Sequence, residues 1–157
     1  MPVQFSDATR KKLDSVIARY PNSQAACLPA LHLAQAEFGH LSDEVMQLVA
    51  EYLKIPYAHV FGVVTFYTMF HRKPVGKNVI MVCTNVSCML RGAYGVLEHL
   101  ERKLGIKAGE TTADRRFTLL CVECLASCGT APTMQVNDTY HEELSEAKID
   151  LILEGLA

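Results

Sequence analysis

Two kinds of hydrophobic spacing divide this chain. From residue 6 to about residue 70 the apolar positions recur at helical intervals; from residue 77 onward short apolar runs alternate with helical stripes. Ser6 is placed to cap a first helix whose stripe is Leu13, Val16, Ile17 and Tyr20, with Pro21 closing it. A second helix, about 25–38, turns Leu28, Leu31, Ala34 and Phe38 inward and stops at Gly39, while Pro29 implies a late start or a kink. Ser42 caps a third, with Asp43 and Glu44 at the positive end of its dipole and Val45, Leu48, Val49 and Tyr52 as its buried stripe. Ile55-Pro56 ends it. A fourth short helix from about Tyr57 leads into the aromatic run at 65–70, expected to pack against the other helices.

The period changes at Lys73-Pro74-Val75-Gly76, which sets an expected boundary between a helical bundle, 1–75, and an α/β domain, 76–157. Residues 77–82 read as a buried strand. From Ser87 a helix follows, with Leu90, Ala93, Leu97, Leu100 and Leu104 on one stripe and Gly105 past its end. A second strand covers 117–122, and 133–136 and 139–141 flank an Asn137-Asp138 hairpin turn. Ser145 caps a last helix bearing Ile149, Ile152, Leu153 and Leu156. The order β-α-β-β-β-α describes a small sandwich, and the whole chain is of the α+β class.

Composition narrows the function classes. At 157 residues, half of them hydrophobic and 20% charged, the chain can build a core without disulfides. Fifteen basic against seventeen acidic residues give a net charge of -2, too little positive field for a nucleic-acid partner. No apolar h-region or cleavage site opens the sequence, and the charge-free stretch 55–71 is too short to span a bilayer, so a cytoplasmic protein without direct membrane insertion is expected. Any membrane association is then expected to be through partners. No G-x-G-x-x-G or G-x-x-x-x-G-K-[ST] loop is present, so its electrons must come from another polypeptide or a diffusing donor. No nucleophile triad is legible, and no independent catalysis is expected.

Six cysteines in a reducing compartment point to metal or redox chemistry. Cys83 and Cys88 stand four residues apart after the first strand; Cys124 and Cys128 stand three apart in a second loop. Wide, irregular loops suit a [2Fe-2S] cluster, whose thiolates must wrap sulfide as well as iron. With four thiolates the oxidised cluster carries a charge of about -2, which calls for backbone N–H donors. The helix start after Ser87 is expected to supply some, with Gly92 and Gly129 letting backbone approach closely. A structural zinc would use the same thiolates but prefers C-x2-C knuckles, and the one such pair, Cys121 and Cys124, leaves Cys128 aside. A thioredoxin-type C-x-x-C would open the first helix, where C-x4-C stands instead. Cys27 and Cys121 are expected as small buried hydrophobes. The histidines show no pairing near these loops that would suit a Rieske site.

The segments Val82-Cys83-Thr84-Asn85-Val86-Ser87-Cys88-Met89-Leu90-Arg91-Gly92 and Glu123-Cys124-Leu125-Ala126-Ser127-Cys128-Gly129-Thr130-Ala131-Pro132 closely resemble the 24 kDa subunit family of NADH-quinone oxidoreductase, respiratory complex I. The likeness continues through Leu28-Pro29-Ala30-Leu31, Val64-Thr65-Phe66-Tyr67, Lys73-Pro74-Val75-Gly76 and Met134-Gln135-Val136-Asn137. It implies an N-terminal helical bundle followed by a thioredoxin-like [2Fe-2S] ferredoxin domain. It also implies one cluster on Cys83, Cys88, Cys124 and Cys128, and a larger partner subunit that carries FMN and the NADH site. Related diaphorase pairs serve NAD-linked hydrogenases and formate dehydrogenases. Two other readings belong to different classes: a free ferredoxin, against which the helical bundle argues, and a zinc-stabilised interaction module. Family members commonly have Gly and Ala where this chain has Ala126 and Ser127. That departure carries an expectation of a Ser127 hydroxyl near a cluster sulfur, with a modest potential shift. A cis peptide is expected at Ala131-Pro132.

Overall fold

The computed structural model describes residues 3–156, and its backbone divides into two compact units, one up to Pro74 and one from Val75 on. Met1, Pro2 and Ala157, the ends of the two expected domains, lie outside the described residues.

The first unit holds α1 (Asp7–Ile17), α2 (Cys27–Phe38), α3 (Asp43–Leu53) and α4 (Tyr57–Phe66). Ser6 and Ser42 cap α1 and α3 as expected, their hydroxyls accepting from Thr9 N and Val45 N. Gly39 ends α2 at φ +76, a left-handed turn that favours a residue without Cβ. The core gathers Leu13, Leu31, Ala34, Leu41, Met46, Val49, Leu53 and Val60, all nearly solvent-free. Two expectations fail here. Helix α1 stops at Ile17, leaving Tyr20 outside it and exposed; the aromatic run does not bury as a block. Phe70 enters the core, whereas Phe66 at the end of α4 stays 76% exposed.

The second unit is a four-stranded sheet of β1 (Asn78–Cys83), β2 (Phe117–Val122), β3 (Met134–Val136) and β4 (Thr139–His141), in spatial order β2-β1-β3-β4. The pair β1 and β2 is parallel, Asn78 facing Phe117 and Cys83 facing Val122; β3 lies antiparallel to β1 and β4 antiparallel to β3. A parallel pair needs a crossover. It is made by α5 (Val86–Leu90) and α6 (Ala93–Leu104), and α7 (Glu146–Gly155) follows the sheet. The single helix expected from Ser87 is therefore two. Its cap is Asn85, whose Oδ1 accepts from Val86 N at 2.8 Å, and Gly92 at φ +93 breaks it, so Leu90 falls off the stripe and is 76% exposed. Ala93, Val96 and Leu100 of α6 are buried, and Val96 and Leu100 pack with Ile80, Val82, Leu119, Met134 and Ile149.

His99 joins α6 to α7. It is almost fully buried, with Nε2 2.8 Å from Asp150 Oδ1, and Lys103 reaches the other Asp150 oxygen at 3.0 Å. These contacts hold the Asp150 carboxyl below its usual range. Among the described residues no helix is long and apolar enough to cross a membrane.

Candidate metal centre

Because β1 and β2 run parallel and in register, their carboxyl ends lie side by side, and the loops that leave them emerge at the same edge. Cys83 is the last residue of β1; Cys88 lies in α5; Cys124 follows β2, and Cys128 opens a short 3-10 turn, Cys128–Thr130. The sheet thus brings together two loops about forty residues apart in sequence. The third strand closes the same edge: Cys83 N donates to Thr133 O at 3.1 Å, directly after the Ala131-Pro132 peptide, which is cis as expected.

The thiols are not equivalent. Cys83 and Cys88 are buried in a small apolar nest with Ala93, Ala131 and Leu125, while Cys124 and Cys128 are exposed. Burial pushes the Cys83 thiol up. The backbone N–H groups of Asn85 and Leu125 and the thiols of Cys88 and Cys124 outweigh it and hold Cys83 below the ordinary thiol value. Burial and the neighbouring Cys83 instead raise Cys88, against a backbone hydrogen bond from Thr133, and Cys128 acts on Cys88 through space. Ala126 N donates to Cys124 Sγ at 3.2 Å.

This donor set fits a [2Fe-2S] cluster: four sulfur atoms, two from a buried nest and two from an exposed loop, with N–H donors aimed at three of them. Among the described residues no three His, Cys, Asp or Glu side chains converge closely enough to hold a single metal ion.

The N–H donors directed at the thiols come from Asn85, the cap of α5, and from Leu125, Ala126 and Thr133. A Cβ at Gly92 or Gly129 would meet no protein atom within 4 Å, and a close approach between backbones lies at Gly76, where it would come within 2.7 Å of Phe117 C. Against expectation Cys121, near the carboxyl end of edge strand β2, is exposed, whereas Cys27 is buried and its thiol is pushed up to about 11 by that burial.

The Ser127 hydroxyl does not turn toward a sulfur. It donates to Glu142 Oε1 and lies 2.7 Å from Thr130 Oγ1, which itself donates to Glu142 Oε1 at 2.6 Å. These two hydroxyls hold the Glu142 carboxyl below its usual range. Sequence spacing held no sign of Glu142, since it lies well beyond the last cysteine, on the other side of the β3-β4 hairpin.

Residues 13–157 match the thioredoxin-like [2Fe-2S] ferredoxin family. One NADH-quinone oxidoreductase subunit of Rhizobium meliloti (strain 1021) is 48% identical over 146 residues, covering 93% of this chain and 87% of that protein. Its counterpart by name in Rickettsia prowazekii (strain Madrid E), also an NADH-quinone oxidoreductase subunit, is 44% identical over 144 residues, 90% of this chain and 81% of that protein. The backbone superposes on a chain of NAD+-reducing [NiFe]-hydrogenase in the air-oxidized state with a TM-score of 0.72 and 24% identity, over 83% of this chain and 22% of that one, a likeness of fold. The chain belongs to the thioredoxin-like [2Fe-2S] ferredoxin family.

Proposed function

We propose that this chain is the electron-transfer subunit of an NADH-quinone oxidoreductase, with one [2Fe-2S] cluster held by Cys83, Cys88, Cys124 and Cys128. The observation that carries the ligand assignment is the gathering of these thiols at one sheet edge with backbone N–H groups directed at Cys83, Cys88 and Cys124. When bound, the cluster supplies a site that accepts and returns one electron at a time. The chain's own contribution is to position it. Cys83 and Cys88 exclude water from one side, Cys124 and Cys128 leave the other near solvent, and the N–H donors offset the negative charge of the thiolates.

The electron donor is FMN on a larger partner subunit that also binds NADH. In support, this sequence lacks a nucleotide-binding loop, and its relatives at 48% and 44% identity are named as subunits of NADH-quinone oxidoreductase. We assign the cluster to domain 76–157 and a supporting role within the complex to the helical domain 1–75. The complex lies in the cytoplasm, peripheral at the inner membrane. The subunit of an NAD-linked hydrogenase diaphorase is the second reading, favoured only by a likeness of fold.

The test is iron and acid-labile sulfide on protein purified without air, followed by EPR after dithionite reduction and identification of the copurifying subunits. Two irons, two sulfides and a one-spin signal, with an FMN-containing partner, are the expected result. Zinc without sulfide would overturn the assignment; copurifying hydrogenase subunits would move it to the second reading.

A further inference from the structure

The second ligand loop holds a conformation that its own sequence does not favour. Ala126, midway between Cys124 and Cys128, sits at φ +58, the left-handed region that an L residue other than glycine rarely adopts. That conformation aims Ala126 N at Cys124 Sγ at 3.2 Å, and the preceding N–H, of Leu125, is directed at Cys83. Both donors depend on the turn staying where it is. A backbone held in a sparsely populated region persists only where its surroundings over-determine it.

We propose that Glu142 is a positioning residue for the cluster: by accepting from Ser127 and Thr130 together, it clasps the loop from across the hairpin and keeps the Leu125 and Ala126 N–H groups on the sulfurs. Ser127 is the residue after the strained one, so fixing its hydroxyl fixes the turn. Thr130 Oγ1, 2.6 Å from the same carboxylate oxygen, ties the far end of the 3-10 turn, and Thr130 N donates to Ser127 O at 3.2 Å within it. Glu142 is itself held in place. Lys148 Nζ donates to its carbonyl at 2.6 Å, and Glu143 N donates to Thr130 O at 2.7 Å, so two neighbouring residues of the segment after β4 bond to the ligand loop. Hydrogen bonds to cluster sulfur stabilise the more negative, reduced state, so a loosened clasp lowers the reduction potential and speeds loss of iron.

The inference rests on the proposed ligand set, and the experiment separates the two. Protein purified without air is compared as wild type, Ser127→Ala, Glu142→Ala, the double variant of these, and Ser127→Ala with Ala126→Gly. Iron per chain, the rate of iron transfer to a chelator and the midpoint potential by EPR titration are measured. Ser127→Ala changes no charge and is the primary variant; it carries the test if Glu142→Ala does not fold. Ser127→Ala and Glu142→Ala are each expected to release iron faster, Glu142→Ala by about 10-fold, and the double variant no faster than Glu142→Ala, because the Ser127 bond is one of the two that Glu142→Ala already removes. The potential of Ser127→Ala falls below that of wild type. Adding Ala126→Gly, which relaxes the left-handed turn, restores both rate and potential. Wild-type protein without two irons would sink the ligand reading itself. With wild type loaded, a Ser127→Ala variant indistinguishable from it, losses that multiply in the double variant, or no recovery with Ala126→Gly would each overturn the clasp.

Discussion

Asn137 grips the backbone of Val79 on both sides: its N–H donates to Val79 O at 2.9 Å, and its side-chain Oδ1 accepts from Val79 N at 2.9 Å. The same residue turns the β3-β4 hairpin at φ +51, a conformation that asparagine tolerates better than most side chains. One residue therefore sets both the turn and the register of β3 on β1. Asn137→Gly keeps the turn and loses the side-chain bond, leaving Val79 N without that partner, and is expected to cost about 1–2 kcal/mol in denaturant unfolding. Asn137→Ala adds the penalty of a left-handed alanine and should be the less stable of the two. Equal stability of the two variants would show that the turn conformation contributes nothing.

Gly76 precedes β1 at the point where the backbone of β2 comes closest. A Cβ there would lie 2.7 Å from Phe117 C and 2.8 Å from Phe117 N, both main-chain atoms that cannot rotate away. Gly76 N also donates to Thr118 Oγ1 at 2.7 Å. Gly76→Ala is expected to destabilise by about 1–3 kcal/mol, read as a lower denaturation midpoint, because the parallel pair must separate to admit one methyl. A wild-type midpoint would mean the strands yield without cost.

Replacing any of Cys83, Cys88, Cys124 or Cys128 with serine should abolish the EPR signal and reduce iron in purified protein. Cys121→Ala should retain both, since Cys121 lies on β2 outside the gathered set. Loss of iron in Cys121→Ala with retention in Cys128→Ser would exchange those two in the ligand set.

Thiol labelling of the folded, cluster-loaded protein at about pH 8, just below the ordinary thiol range, should modify Cys121 and spare Cys27. Cys121 is exposed, whereas Cys27 is buried with its thiol pushed up to about 11, so almost no thiolate forms and no reagent reaches it. Mass spectrometry reads the sites; labelling of Cys27 without denaturant would show that α2 opens.

His71 supplies a pH test within the helical unit. Burial holds its imidazole below the usual value, while its carbonyl accepts from Leu41 N at 2.7 Å and its N–H donates to Gln35 Oε1 at 2.7 Å. A histidine whose folded value is depressed binds its proton more readily when unfolded. Its contribution is therefore constant above about pH 6.5, where neither state is protonated, and stability declines as pH falls below that value, until the folded imidazole also titrates. An NMR titration of the His71 ring should give a midpoint under about 6.5; a midpoint at or above it would refute the sign.

Local chemistry explains what could be read from the chain. The caps at Ser6, Ser42 and Ser145, the stop at Gly39, the strand 117–122 and the hairpin at Asn137 are all set by residues within a few positions of one another. The four cysteines were legible for the same reason, since each pair sits in a short loop with its own spacing. The break at Gly92 was missed because the helical stripe continues across it in sequence, and only the left-handed backbone shows that Leu90 points elsewhere.

By itself, then, the sequence determined most of the elements and the two loops that carry the cysteines. Tertiary structure alone decided that the parallel pairing of β1 with β2 brings those loops to one edge, that Cys83 and Cys88 are buried while Cys124 and Cys128 face solvent, and that Glu142 reaches Ser127. The reason is physical. Spacing along the chain governs hydrogen bonds between near neighbours, whereas burial and contact between distant segments depend on which strands pair, a choice that the whole core makes at once.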